Sequence, residues 1–193
     1  MQTILTGALM AFFVLSTPEA APTLPKPEVL SEIPLVEELF HSRSVSLTGY
    51  NAVPEQTDSD PFTTASGAYS NPELIAARSV DLKEELPFGT VIEFVIPEGK
   101  STPPCGLSSV EHLVGLRVVA DSMHPRKRNQ IDIMFDTQDS VRIGGKKMNP
   151  AVVLGVCKNI EIRVVGHIDI KKMPRNQMEL QLAFGTAALA IRK

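Results

Sequence analysis

The sequence predicts a mainly β protein, one compact barrel of six short strands with two small helices. Apolar and polar residues alternate through several short segments, as they do in strands with one face buried. Stretches rich in Gly, Pro, Asn, Asp and Ser separate those segments and supply the turns. The 193 residues, 43% hydrophobic and 21% charged, suffice for one ordinary globular domain plus tails.

The chain opens with a nearly uncharged apolar run from Ile4 to Leu15, followed by small residues and prolines. Residues 1–21 therefore read as an export signal, although no Lys or Arg precedes the run. The run is shorter than the roughly 20 apolar residues of a membrane span. An uncleaved membrane anchor and a buried N-terminal helix are the alternatives. Prolines recur from Pro18 to Pro34, so residues 22–44 are expected to form an extended linker, with a short helix over Leu35–Ser42.

The first strand is expected at Val45–Tyr50. Asn51–Glu73, rich in polar and turn-forming residues, reads as a long loop, and loops of that length in compact domains are usually functional. Further strands are expected at Leu74–Val80, Thr90–Ile96, Leu116–Ala120, Ile131–Phe135 and Ile160–Val165. Pro87 and Gly89 shape a turn into the strand at Thr90. Thr137–Gly145 and Asn149–Val156 each begin with a capping residue and have room for about two helical turns. Residues 45–170 make the barrel domain, and 171–193 a C-terminal extension whose apolar end forms either a last strand or a helix.

Alternation along Ile131–Phe135 puts Ile131, Ile133 and Phe135 on one face and Asp132, Met134 and Asp136 on the other. The same pattern adds Ile92, Phe94, Ile160, Ile162 and Val164 to the expected core.

A net charge of −3 argues against a general nucleic-acid binder. The sequence holds no phosphate loop, no HExxH, no GxSxG and no internal repeat, and no cofactor or metal is expected. Its two cysteines, Cys105 and Cys157, lie far apart without a CxxC pair, which disfavours zinc. They are either one disulfide, as an exported chain permits, or two buried thiols.

Between Ala120 and Asp132 the sequence reads ADSMHPRKRNQID. Asp121 and Asp132 each close a short apolar run and so belong to strands, while the basic segment between them loops out. Protonating a glycosidic oxygen needs a carboxylic acid that keeps its proton near neutral pH, through burial or a second carboxylate close by, and two acids converging on one groove provide this.

Three stretches, VSLTGYNAVPEQTDSDPFTTASG, IAARSVDLKEELPFGT and VVADSMHPRKRNQIDIMFD, together resemble the 3D (Asp-Asp-Asp) domain. That family has a double-psi β-barrel fold, includes the catalytic part of membrane-bound lytic murein transglycosylase A, and looks like the rare lipoprotein A, expansin and barwin-type barrels. The resemblance covers about Val45 to Gly166. The family pairs an Asp-Thr-Gly-Gly loop with a Lys-Gly-Asn-Arg-Ile-Asp segment, the two acids eleven positions apart. Asp121 and Asp132 keep that spacing, but SMHPRKR replaces the glycine pair. Where the family places a further Asp after its IAV segment, this chain has Arg78, with Asp81 three residues later.

The resemblance implies an exported, secreted or membrane-anchored protein of the bacterial cell envelope that cleaves peptidoglycan glycan strands, as a lytic transglycosylase or an O-glycosyl hydrolase. Asp132 is the implied general acid and Asp121 its orienting partner. Thr64, Ser66, His124, Arg126, Arg128 and Asp81 are the candidate substrate contacts, and Arg126, Lys127 and Arg128 could pair with the lactyl and peptide carboxylates. Each has a plainer alternative: backbone-bonded structural aspartates, a solvated basic loop, a local His124 hydrogen bond, and a tight turn at Gly67. The rival function is a non-catalytic, expansin-like wall-binding module, which would need exposed aromatic platforms.

Overall fold

A computed structural model describes residues 42–57, 60–95 and 105–190 of the chain, with side chains through Phe184. The expected signal or anchor, and almost all of the expected linker and its helix, lie outside the described residues. Among those residues no helix is long and apolar enough to cross a membrane.

All six expected strands form, and they close into a barrel. They are β1 (Ser42–Asn51), β2 (Ile75–Arg78), β3 (Thr90–Val95), β4 (Arg117–Ser122), β5 (Gln130–Phe135) and β8 (Cys157–His167), and a short hairpin, β6 (Val141–Ile143) and β7 (Lys146–Met148), interrupts the series. Around the barrel the order is β1-β5-β2-β4-β3-β8. The β1/β5 and β2/β4 pairs are parallel, and the other four are antiparallel. β1 begins at Ser42, so the end of the expected linker is already strand.

Every barrel strand sends apolar side chains into one interior cluster, including Leu47, Ala76, Ile92, Val119, Ile131, Ile133, Phe135, Ile160 and Ile162. Phe94 and Val164 pack against it half-buried. The outer face of β2, β4 and β5 carries a second cluster, in which Met134 is buried with Ile75, Val118 and Ala120. β5 is thus covered on both faces, and Met134 does not share the polar setting expected from its alternation with Asp132.

Two helices differ from expectation. Thr137–Gly145 is not helical, because Gly144 and Gly145 both adopt positive φ, +56° and +83°. That is the two-residue turn that matches strand twist, and it pairs Ile143 with Lys146. Conversely, α1 (Leu107–Val114) was not expected; it buries Leu107, Val110 and Val114 against the interior cluster. α2 (Pro150–Leu154) does form, with Asn149 accepting from the Ala151 N–H and Pro150 in the first turn.

The C-terminal extension resolves as a helix, α3 (Gln177–Ala190). Leu180 is buried in the second cluster, and the Gln177 side chain bonds both backbone groups of Leu116 and the Glu73 carbonyl. At Gly166 on β8 a Cβ would lie 2.3 Å from the Phe184 ring, so the missing side chain is what lets the helix approach. Cys105, just before α1, is disulfide-bonded to Cys157 at the start of β8, with Cα atoms 5.4 Å apart. Arg117 is buried and donates to the carbonyls of Pro72, Leu113, Val114 and Met134, which joins the end of α1 to β5.

Candidate active site

The site begins with strand register. Ala77 on β2 pairs with Asp132 on β5 to one side and with Asp121 on β4 to the other. Thr48 on β1 pairs with Asp132, which completes a row Thr48–Asp132–Ala77–Asp121 across four adjacent strands. Registered neighbours point to the same side, so the two acids face one way across a single methyl group. At two strand spacings their Cα atoms lie roughly 10 Å apart.

A bulge makes this possible. Ala76 pairs with Val119 but Ala77 with Asp121, which leaves Ala120 as the extra residue on β4. Val119 points into the interior cluster, Ala120 into the outer one, and Asp121 stays on the outer side. In an unbulged ladder, strict alternation from Val119 would turn Asp121 inward.

Both carboxylates line one groove of about 570 Å³. Its other walls include Tyr50, Glu55, Gln56, Thr63, Ser70 and the 122–127 loop. Asp132 lies at the half-buried floor. Thr48 Oγ1 donates to its Oδ1 at 2.8 Å, and Gln130 Nε2 donates to Thr48 Oγ1 at 2.7 Å. Among the described residues no hydrogen-bond partner engages Oδ2. Burial pushes the Asp132 carboxyl up to about 6; the Thr48 bond and the Lys127 charge oppose this, and Asp121 adds to it. The Asp132 carboxyl therefore keeps its proton to higher pH than an ordinary carboxyl does.

Asp121 is held differently. Its Oδ2 accepts from the Tyr50 hydroxyl at 2.9 Å, and its Oδ1 from the N–H groups of Ala65 and Ser122. It thereby fastens the 64–66 loop to β4. Burial first, and then the Asp121 charge, push the Tyr50 phenol far above its ordinary range, so Tyr50 stays a donor.

The other expected contacts divide. His124, Arg126 and Lys127 line the groove. His124 Nδ1 accepts from the Arg126 N–H at 3.3 Å, the local bond rather than one to Asp121. Arg128 turns back onto the carbonyls of Pro125 and Lys127 and is not in the lining. Thr64 is buried, donating to the Ala68 carbonyl and contacting Ser66, and neither residue lines the groove, whereas their neighbours Thr63 and Ala65 do. Asp81 accepts from the Asn129 N–H in a short helical turn away from the groove. Arg78, which stands where the family has an acid, lies over the Phe88 ring at 4.8 Å and is absent from the lining.

Sequence reasoning missed Thr48, Tyr50 and Gln130. A signal was present for two of them: in VSLTGY, Val45, Leu47 and Gly49 take one face, leaving Thr48 and Tyr50 on the other. Comparison with family models and with curated proteins gave no match to this chain.

Proposed function

We propose that the protein is a cell-envelope enzyme that cleaves glycosidic bonds of peptidoglycan, built on a double-psi β-barrel of 3D type, with Asp132 as general acid. The observation that carries this is a half-buried carboxyl, raised to about 6, at the floor of an open groove with one oxygen unengaged. Two parallel strand pairs within a closed six-stranded barrel support the double-psi assignment. The disulfide supports an exported protein, because such bonds persist in oxidising compartments.

In this reading Asp132 gives its proton to the glycosidic oxygen as the bond from that oxygen to C1 breaks and positive charge develops on the ring. The carboxylate left behind then takes a proton from the sugar's own C6 hydroxyl, whose oxygen closes on C1 to form an anhydro ring. Water in place of that hydroxyl gives a reducing end instead. Thr48 fixes the orientation of the acid. Asp121, occupied by three donors, holds the Tyr50 and Ala65 walls and adds negative potential beside the developing cation.

Incubation with purified peptidoglycan should yield soluble fragments, identified by mass spectrometry as anhydro-muropeptides or reducing ends. Asp132→Asn should lower turnover by about 10² or more. A folded Asp132→Asn protein cutting at the wild-type rate would end the acid assignment. One observation favours the wall-binding module as a second reading: Phe62 and Tyr69 are 67% and 71% exposed, as a sugar platform requires. Peptidoglycan binding that survives Asp132→Asn, with no product from the wild type, would select it.

A further inference from the structure

The stretch that walls the acid groove has a second side. Thr63 pairs with Tyr69 across a tight turn; Thr63, Ala65 and Ser70 face the groove, while Gly67, Ala68 and Tyr69 line another concavity of about 540 Å³. The far wall of that concavity is the 170–175 segment, which contributes Lys171, Met173 and Arg175. The Asn71 side chain donates to the Arg175 carbonyl and ties the two walls together. Ile170 and Met173 pack against the second core cluster, so the far wall rests on the barrel.

Its chemistry is that of an anionic sugar site. Tyr69 keeps a large ring in water, although the other tyrosine of the chain is buried. Among the described residues no acid lines the concavity. Carboxylates on neighbouring residues accept backbone N–H groups, Asp169 from Lys171, Glu179 from Arg175 and Glu73 from Gln177. Among the described residues no ion pair engages Lys171 or Arg175. Residues 171–193 carry five Lys or Arg against one Glu, in a chain of net charge −3. An exposed aromatic face beside two uncommitted cations suits a pyranose ring whose lactyl or stem-peptide substituent carries a carboxylate.

We propose that this concavity is a second glycan subsite, which takes the next carboxylate-bearing unit of a strand whose neighbouring unit lies over Asp132. The inference rests on the glycan-acting reading of the groove. A strand crossing the 63–70 ridge would contact Tyr69 first and place its carboxylate between Lys171 and Arg175.

The test uses the full chain carrying Asp132→Asn, so that ligand is not consumed, and measures dissociation constants for purified peptidoglycan fragments of one and of four disaccharide units. The longer fragment should bind at least about tenfold more tightly, as one charge-assisted contact allows. Tyr69→Ala and the pair Lys171→Glu/Arg175→Glu should each remove most of that gain, while Tyr69→Phe keeps it. Because these side chains are exposed, unchanged urea midpoints will show that the variants fold. Equal affinity for both lengths, or variants that retain the gain, overturns the subsite and leaves the acid groove standing. Failure to bind either fragment overturns both. Loss of binding to anionic phospholipid vesicles, with glycan affinity unchanged, would reassign the cations to a membrane surface and overturn the subsite.

Discussion

Replacing Asp132 by Asn should stabilise the protein, by an amount that depends on pH. The folded carboxyl titrates at about 6 against an ordinary value of 3.8, so ionising it in place costs about 3 kcal/mol more than ionising it in the unfolded chain. The folded state binds this proton more tightly. The contribution of Asp132 to stability is therefore fully present below pH 3.8 and lost as pH rises through 6. Asn keeps the shape and still accepts the Thr48 hydroxyl, but has no charge to bury. The variant's advantage should be under about 1 kcal/mol at pH 4 and about 3 kcal/mol at pH 7.5. For a domain of this size the latter raises Tm by roughly 6–12 °C. Urea denaturation of both proteins, followed from pH 4 to 7.5, reads the difference directly. A difference that does not vary with pH, or a wild type more stable at pH 7.5, would refute the claim that burial holds the proton on Asp132.

Asp121→Asn removes a negative charge that helps to raise Asp132, so the alkaline limb of the activity profile should move to lower pH; a profile unchanged in position would show that the two carboxyls do not communicate. Ala77→Val adds two methyl groups between the acids and should cut activity more than tenfold while costing about 1–3 kcal/mol of stability; full activity in that variant would displace the reaction from this row. Replacing Cys105 and Cys157 together by Ser opens a link between residues 52 apart and should cost about 4 kcal/mol, seen as a lower urea midpoint matched by the reduced wild type.

Much of the barrel was legible because its strands obey a local rule. Ile131, Ile133 and Phe135, or Ile160 and Ile162, announce a buried face through alternation alone, whatever partner covers it. The hairpin at Val141–Met148 was misread as helix because an apolar residue every few positions fits either period in so short a segment. Its Gly144–Gly145 pair was the stronger signal. The unexpected α1 is eight residues with no side-chain cap, held by what it packs on rather than by its own sequence. Within the site, Asp121 and Asp132 were readable as strand residues near a basic loop. That Thr64, Ser66 and Arg128 spend their polar groups on their own loops was not, since such bonds depend on the fold of each turn.

By itself the sequence determined the six strands, the faces they bury and the two acids that punctuate them, because side-chain period and turn chemistry act over a few residues. Only the tertiary structure decided that the acids share a side. Each ladder in the row from Thr48 to Asp121 joins strands distant in the chain, and its register comes from pairing that no local pattern encodes. The bulge at Ala120 is the decisive case. Strict alternation from Val119 would send Asp121 into the barrel, and one extra residue keeps it facing the groove with Asp132. The raised Asp132 carboxyl follows from the same assembly, since desolvation at that floor exists only when β1, β2, β4 and β5 close around it.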